Sequence, residues 1–133
     1  MIAKILITLG VAIFAIVVPI LEVNATHVFN AEWPPHARFH EVWQLTTNCG
    51  IGLLCLWLAW FKDKIPLASV LVTLVMGGIL VAHASQGLYG GSVLSGNFSK
   101  TILGLELAAF AASLAVVMAL AAAVLDARAK PQS

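Results

Sequence analysis

The chain has 133 residues, of which 61% are hydrophobic and 10% charged, with a mean hydropathy of +0.99 and a formal net charge of +1. So apolar a single-domain chain cannot hide its surface in a water-soluble fold, where about a quarter of residues are charged. The near-neutral balance carries no nucleic-acid signature, and membrane lipid is the partner that the composition implies.

A helix needs roughly 20 apolar residues to cross about 30 Å of hydrocarbon. Four segments qualify: Ile2–Leu21, Val42–Phe61, Ile65–Ser85 and Thr101–Leu125. Lys4, the first apolar run and Val23-Asn24-Ala25 imitate a cleavable signal. The run is long for such a segment, so a retained helix is expected, kinked near its end by Pro19. A long loop, Glu22 to Glu41, follows, and Pro34 and Pro35 suit the first turn of a helix that starts ahead of the second apolar span. Cys49 and Cys55 lie six residues apart on that helix, about 120° from each other, and read as small core residues rather than a pair.

The charged turn Lys62-Asp63-Lys64 makes the second and third helices antiparallel neighbours, with Pro66 at the start of the third. Gly77 and Gly78 on the third helix and the alanines from Ala108 to Ala115 on the fourth would allow close backbone approach. Between them lies a Gly-rich loop, Gln86 to Lys100, and a polar tail runs from Asp126 to Ser133. The expected fold is all-α: an integral membrane four-helix bundle over residues 1–125 with up-down topology. Lys4, Lys62, Lys64, Arg128 and Lys130 would share one side and Arg38 and Lys100 the other, which puts both termini in the cytoplasm. Trp33, Trp43 and Tyr89 would then mark the outer boundary, and Trp57, Trp60 and Phe61 the inner one. In a bacterium the chain would be a multi-pass protein of the cytoplasmic membrane.

In this threading all four histidines, His27, His36, His40 and His83, fall at or near the outer face, with Glu22, Glu32, Glu41 and Glu106. Glu106 is expected on the fourth helix, about 9 Å along it from Lys100. A carboxyl group at that depth must be protonated, paired or in a wet cavity, which makes it a functional candidate. His36, His40, Trp43, Gln44, Thr47 and Gly50 share a stripe about 120° wide on the second helix, which is expected to face the bundle interior. Arg38 points away from it, toward headgroups or a loop carboxylate. His36-x-x-x-His40 sets two imidazoles one turn apart, a spacing that suits a divalent transition metal, with His27, His83 and Glu22 as further ligands. An interfacial hydrogen-bonded pair is the plainer reading of the same spacing. Four histidines are too few for a desaturase-like di-iron site, and His40 and His83 lie close to water for a bis-histidine haem. Asn24-Ala-Thr26 and Asn97-Phe-Ser99 match the glycosylation pattern.

The stretch Asn24-x-Thr26-His27-x-x-Asn30-x-x-Trp33-x-Pro35-His36-Ala37-Arg38-Phe39-His40 resembles a family of small four-helix membrane proteins found in bacteria and fungi. The resemblance implies a four-helix fold. The family has no established activity, so no catalytic role carries over. The chain lacks the Cys-x-x-Cys pair of quinone-linked disulfide-forming enzymes.

Three kinds of function fit these residues. The first is a membrane enzyme acting on a lipophilic substrate through His36 or His40, with Glu106, Glu22 or Glu41 as partner and Arg38 holding an anionic group; a metal would add redox or hydrolytic chemistry. Trp33, Trp43, Gln44, Thr47, Gln86 and Tyr89 would line its ligand site. The second is a protein that binds or transports a proton, a metal ion or a small amphiphile, expected to form a homo-oligomer. The third is an accessory subunit of a larger membrane complex.

Overall fold

The computed structural model describes residues 1–93 and 101–129. The Asn97 glycosylation triplet, Lys100, Lys130 and the end of the tail lie outside the described residues. Helix α1 (Ile2–Glu22), α2 (Pro35–Trp60) and α3 (Ile65–Tyr89) are followed by a hairpin of β1 (Thr101–Ile102) and β2 (Leu105–Glu106), then α4 (Leu107–Ala129). All four helices are long and apolar enough to cross a membrane.

Small residues set how the helices pack. The buried face of α4 is Ala109, Ala112, Ala115, Ala119 and Ala122, spaced to form one stripe against α1 and α3. Phe14, Ile7, Ile65, Met76 and Val72 fill the space that the alanines leave. Without a hydrophobic drive between helices in lipid, this close approach supplies the attraction. Gly52 on α2 is the tightest contact with α1, since a Cβ there would lie 2.8 Å from Ala15 Cβ. Gly77 and Gly78, expected at a close approach, face open space in the single chain; Gly10 and Gly52 fill that role instead.

Helix α1 is not uniform. Its central turn, Ile13–Val17, is a π-helix, with the Val18 N–H bonded to Ile13 O, five residues back. Pro19 has no N–H to offer the Ala15 carbonyl, and Cys49 Sγ donates to that carbonyl at 3.6 Å. At the end of the bundle that carries residue 1, Lys4 Nζ is 3.1 Å from Asp63 and Trp60 Nε1 donates to Thr8 Oγ1 at 3.0 Å. Lys62 sits over the Trp57 ring.

Three boundaries differ from the sequence reading. Helix α3 runs on through Gln86 to Tyr89 and is ended by Gly90, left-handed at φ 69°. Helix α4 continues past Asp126 to Ala129. It begins only at Leu107, so Glu106 is not on a helix but closes a hairpin whose turn residues, Leu103 and Gly104, both have positive φ (52° and 80°). That is the turn type that matches strand twist in a two-residue connection. It halts the helix that the apolar run from residue 101 suggests.

Candidate functional site

The loop after α1 is built by its own polar side chains. Asn24 Nδ2 donates to the Leu21 carbonyl, while Asn24 Oδ1 accepts from the Thr26 N–H (2.8 Å) and the Thr26 hydroxyl (2.7 Å). Asn30 Nδ2 donates back to Thr26 O at 3.1 Å, and Asn30 Oδ1 accepts from the Glu32 N–H. Trp33 meets the His27 ring edge-on at a centroid distance of 5.4 Å. Five residues of the 17-residue motif thus form one scaffold, and what it positions is His27.

The hydrogen bonds determine the tautomer of His27. The single hydroxyl proton of Thr26 goes to Asn24, so Thr26 Oγ1 accepts from His27 Nδ1–H at 2.8 Å. The other ring nitrogen, Nε2, stands 2.8 Å from Glu22 Oε2. One proton must therefore lie between them, on a protonated Glu22 or on an imidazolium facing a carboxylate. Both groups are withdrawn from water, with side-chain exposures of 12% for His27 and 25% for Glu22. Glu41 lies within electrostatic range of both.

A second pair repeats the chemistry with the opposite tautomer. Gln86 Oε1 accepts from the Val93 N–H, so Gln86 Nε2 is turned toward His83 Nδ1 at 3.3 Å. That leaves the proton of a neutral His83 on Nε2, 3.7 Å from Glu106 Oε2. This distance is long for a hydrogen bond but within ion-pair range.

Between the pairs lies a cavity of about 180 Å³. Its walls are Ile13, Val17, Val18 and Leu21 of α1, Met76 and Ile79 of α3, Val93, and Leu107, Ala108 and Ala111 of α4. Glu22, His27 and Glu106 supply its polar groups. His83 borders an adjoining recess that shares Ile79 and Val93 with it. The π turn of α1 therefore lines the cavity, a placement such turns often have at functional sites. Apolar walls with a few convergent polar groups are what a ligand site needs.

The other sequence-predicted residues are elsewhere. His36, His40, Trp43, Gln44 and Thr47 are exposed on the outward face of α2, not turned into the bundle. His36 Nε2 and His40 Nε2 are hydrogen-bonded at 3.0 Å, and Phe39 and Trp43 pack beside them. Arg38 is half-buried and, among the described residues, forms no ion pair. Tyr89 spends its hydroxyl on the Ala82 carbonyl, while Trp33 packs against His27 and Gln86 is hydrogen-bonded to His83. The five proposed metal ligands, His27, His36, His40, His83 and Glu22, do not converge. Among the described residues no group of three or more His, Cys, Asp or Glu is gathered to hold a metal ion. Thr26 and Asn24, which fix the His27 tautomer, escape the sequence reading as site residues, although their place in the motif is the available signal.

Compared with family models, curated proteins and solved structures, the chain matches none.

Proposed function

We propose that the chain is a multi-pass membrane enzyme that moves protons on a small lipophilic substrate. The observation that supports this reading is that one apolar cavity is lined by both members of the Glu22–His27 pair and by Glu106 of the His83–Glu106 pair, with the proton arrangement set differently in each pair. Glu106, oriented by His83, acts as the base and takes a proton from an activated C–H of the substrate, such as one beside a carbonyl. The proton held between Glu22 and His27 is delivered to another atom of the same molecule, and exchange with water then takes the proton off Glu106 and restores the one between Glu22 and His27. The net result is an isomerisation, with the proton count unchanged. Acid and base groups kept apart in one largely apolar site are the usual means of such chemistry. The volume is below the roughly 300–1,000 Å³ of drug-sized sites, which suits the reacting end of a lipid-like molecule. The four helices thread up and down with both termini in the cytoplasm, the arrangement that the Lys and Arg distribution supports, so the site opens toward the outer leaflet.

An isotope-exchange experiment tests this without a named substrate. Protein in lipid nanodiscs is incubated in D2O with a total lipid extract of the expression host, and the lipids are searched by mass spectrometry for deuterium bound to carbon. Wild type should label a lipophilic species, and Glu106→Gln and His27→Ala should each lower that labelling at least 100-fold, the scale of general acid–base catalysis at roughly 10²–10⁴. Equal labelling by wild type and both variants would contradict the reading.

A further inference from the structure

We propose that two copies of this chain associate side by side, in the same orientation, through the outward face of α2. His36, His40, Trp43, Thr47, Gly50 and Leu54 follow one another at intervals of four and three residues, and all six are exposed. This is the 3.5-residue seam of a left-handed helix pair, the commonest way in which membrane helices cross. Thr47 is about 17 Å along the helix from His36 at 1.5 Å per residue, well below the level of the loop. Gln44 flanks the seam and is also exposed.

The other three helices show what a lipid-facing surface looks like in this molecule. Their exposed mid-span positions are apolar: Ile16 on α1, Val70 and Leu74 on α3, Val117 and Leu120 on α4. Only α2 turns an amide, a hydroxyl and a pair of imidazoles outward while burying Leu45, Gly52, Cys55, Leu58 and Ala59. Acyl chains offer the Gln44 amide and the Thr47 hydroxyl no partner, and each unsatisfied polar group is costly in hydrocarbon.

A second copy is the occupant that fits. Two chains inserted in the same orientation are related by an axis along the membrane normal, which brings each seam residue to its own counterpart at equal depth. The Gln44 amide is both donor and acceptor, and so is the Thr47 hydroxyl, so each can pair with itself. No formally charged side chain lies on the seam to repel its copy. One helical turn deeper, a Cβ on Gly50 would meet nothing within 4 Å, which leaves room for the partner backbone.

The experiment uses the full chain tagged with donor or acceptor fluorophores in phosphatidylcholine vesicles. Energy transfer should persist as lipid is added. The double variant Gln44→Leu/Thr47→Val should weaken self-association by about tenfold, the scale of one hydrogen bond between helices in lipid. In host membranes, Thr47→Cys should cross-link to a species of twice the chain mass, above the background of the native Cys49 and Cys55, whereas Val117→Cys should not. Absence of transfer in wild type, equal cross-linking at both positions, or a Thr47→Cys adduct with a different protein would each overturn the proposal. Should the double variant fail to fold, wild-type transfer and the cross-linking pattern still decide it.

Discussion

His27 Nε2 stands 2.8 Å from Glu22 Oε2, the last residue of the helix that the chain has just left. The loop achieves this return by hydrogen-bonding Asn24 to both Leu21 and Thr26 before the imidazole is presented. Asn24→Ala removes an amide that serves three bonds. It should destabilise the protein by about 1–3 kcal/mol, since part-buried partners lose their acceptor or donor. Ala25→Ser, at an exposed neighbouring position, should change stability by less than about 0.5 kcal/mol. Thermal unfolding in detergent followed by circular dichroism separates the two.

The helix count, the long polar loop and the gathering of histidines and acids at one end were legible in the sequence, because span length and residue depth are simple consequences of hydrocarbon thickness. The direction of the α2 stripe was not. A helical wheel defines a face but not what covers it, and in lipid the packed face is chosen by shape as much as by polarity. Gly52, Cys55 and Ala59 let α2 approach its neighbours, which left His40, Gln44 and Thr47 outside. The place of Glu106 is hidden for a different reason: Leu103-Gly104 is a weak turn signal beside the Asn-Gly type that usually marks such hairpins.

Gly52 and Gly77 make a matched comparison. A methyl group at Gly52 would sit 2.8 Å from Ala15 Cβ and 3.1 Å from Val11 Cγ1, whereas at Gly77 it meets nothing within 4 Å. Gly52→Ala should cost about 1–3 kcal/mol through overpacking. Gly77→Ala should stabilise α3 by roughly 0.5–1 kcal/mol through helix propensity. Unfolding by sodium dodecyl sulfate titration reads both.

The hairpin turn holds Leu103 at φ 52° with 89% of its surface exposed. A side chain in that conformation costs about 1–2 kcal/mol and gains little burial in return. Leu103→Gly should therefore slow hydrogen exchange over residues 101–106, while Gly104→Val should speed it and loosen Glu106 from His83.

Ser69 and Thr73 carry buried hydroxyls with no hydrogen-bond partner among the described residues. Removing an orphaned polar group relieves its desolvation, so Ser69→Ala should be neutral or stabilising by up to about 1 kcal/mol. The same thermal assay checks it, and a loss above about 1 kcal/mol would reveal a partner for the hydroxyl.

The Glu22–His27 pair and Glu106, oriented by His83, meet at one apolar cavity and carry the proposed chemistry. Solid-state nuclear magnetic resonance of histidine- and glutamate-labelled protein in bilayers tests this directly. The ring nitrogen shifts should show Nδ1 of His27 protonated and, for neutral His83, Nε2 protonated. Dipolar coupling should link His27 Nε2 to the Glu22 carboxyl and His83 Nε2 to that of Glu106. Matching tautomers with neither coupling would contradict the site.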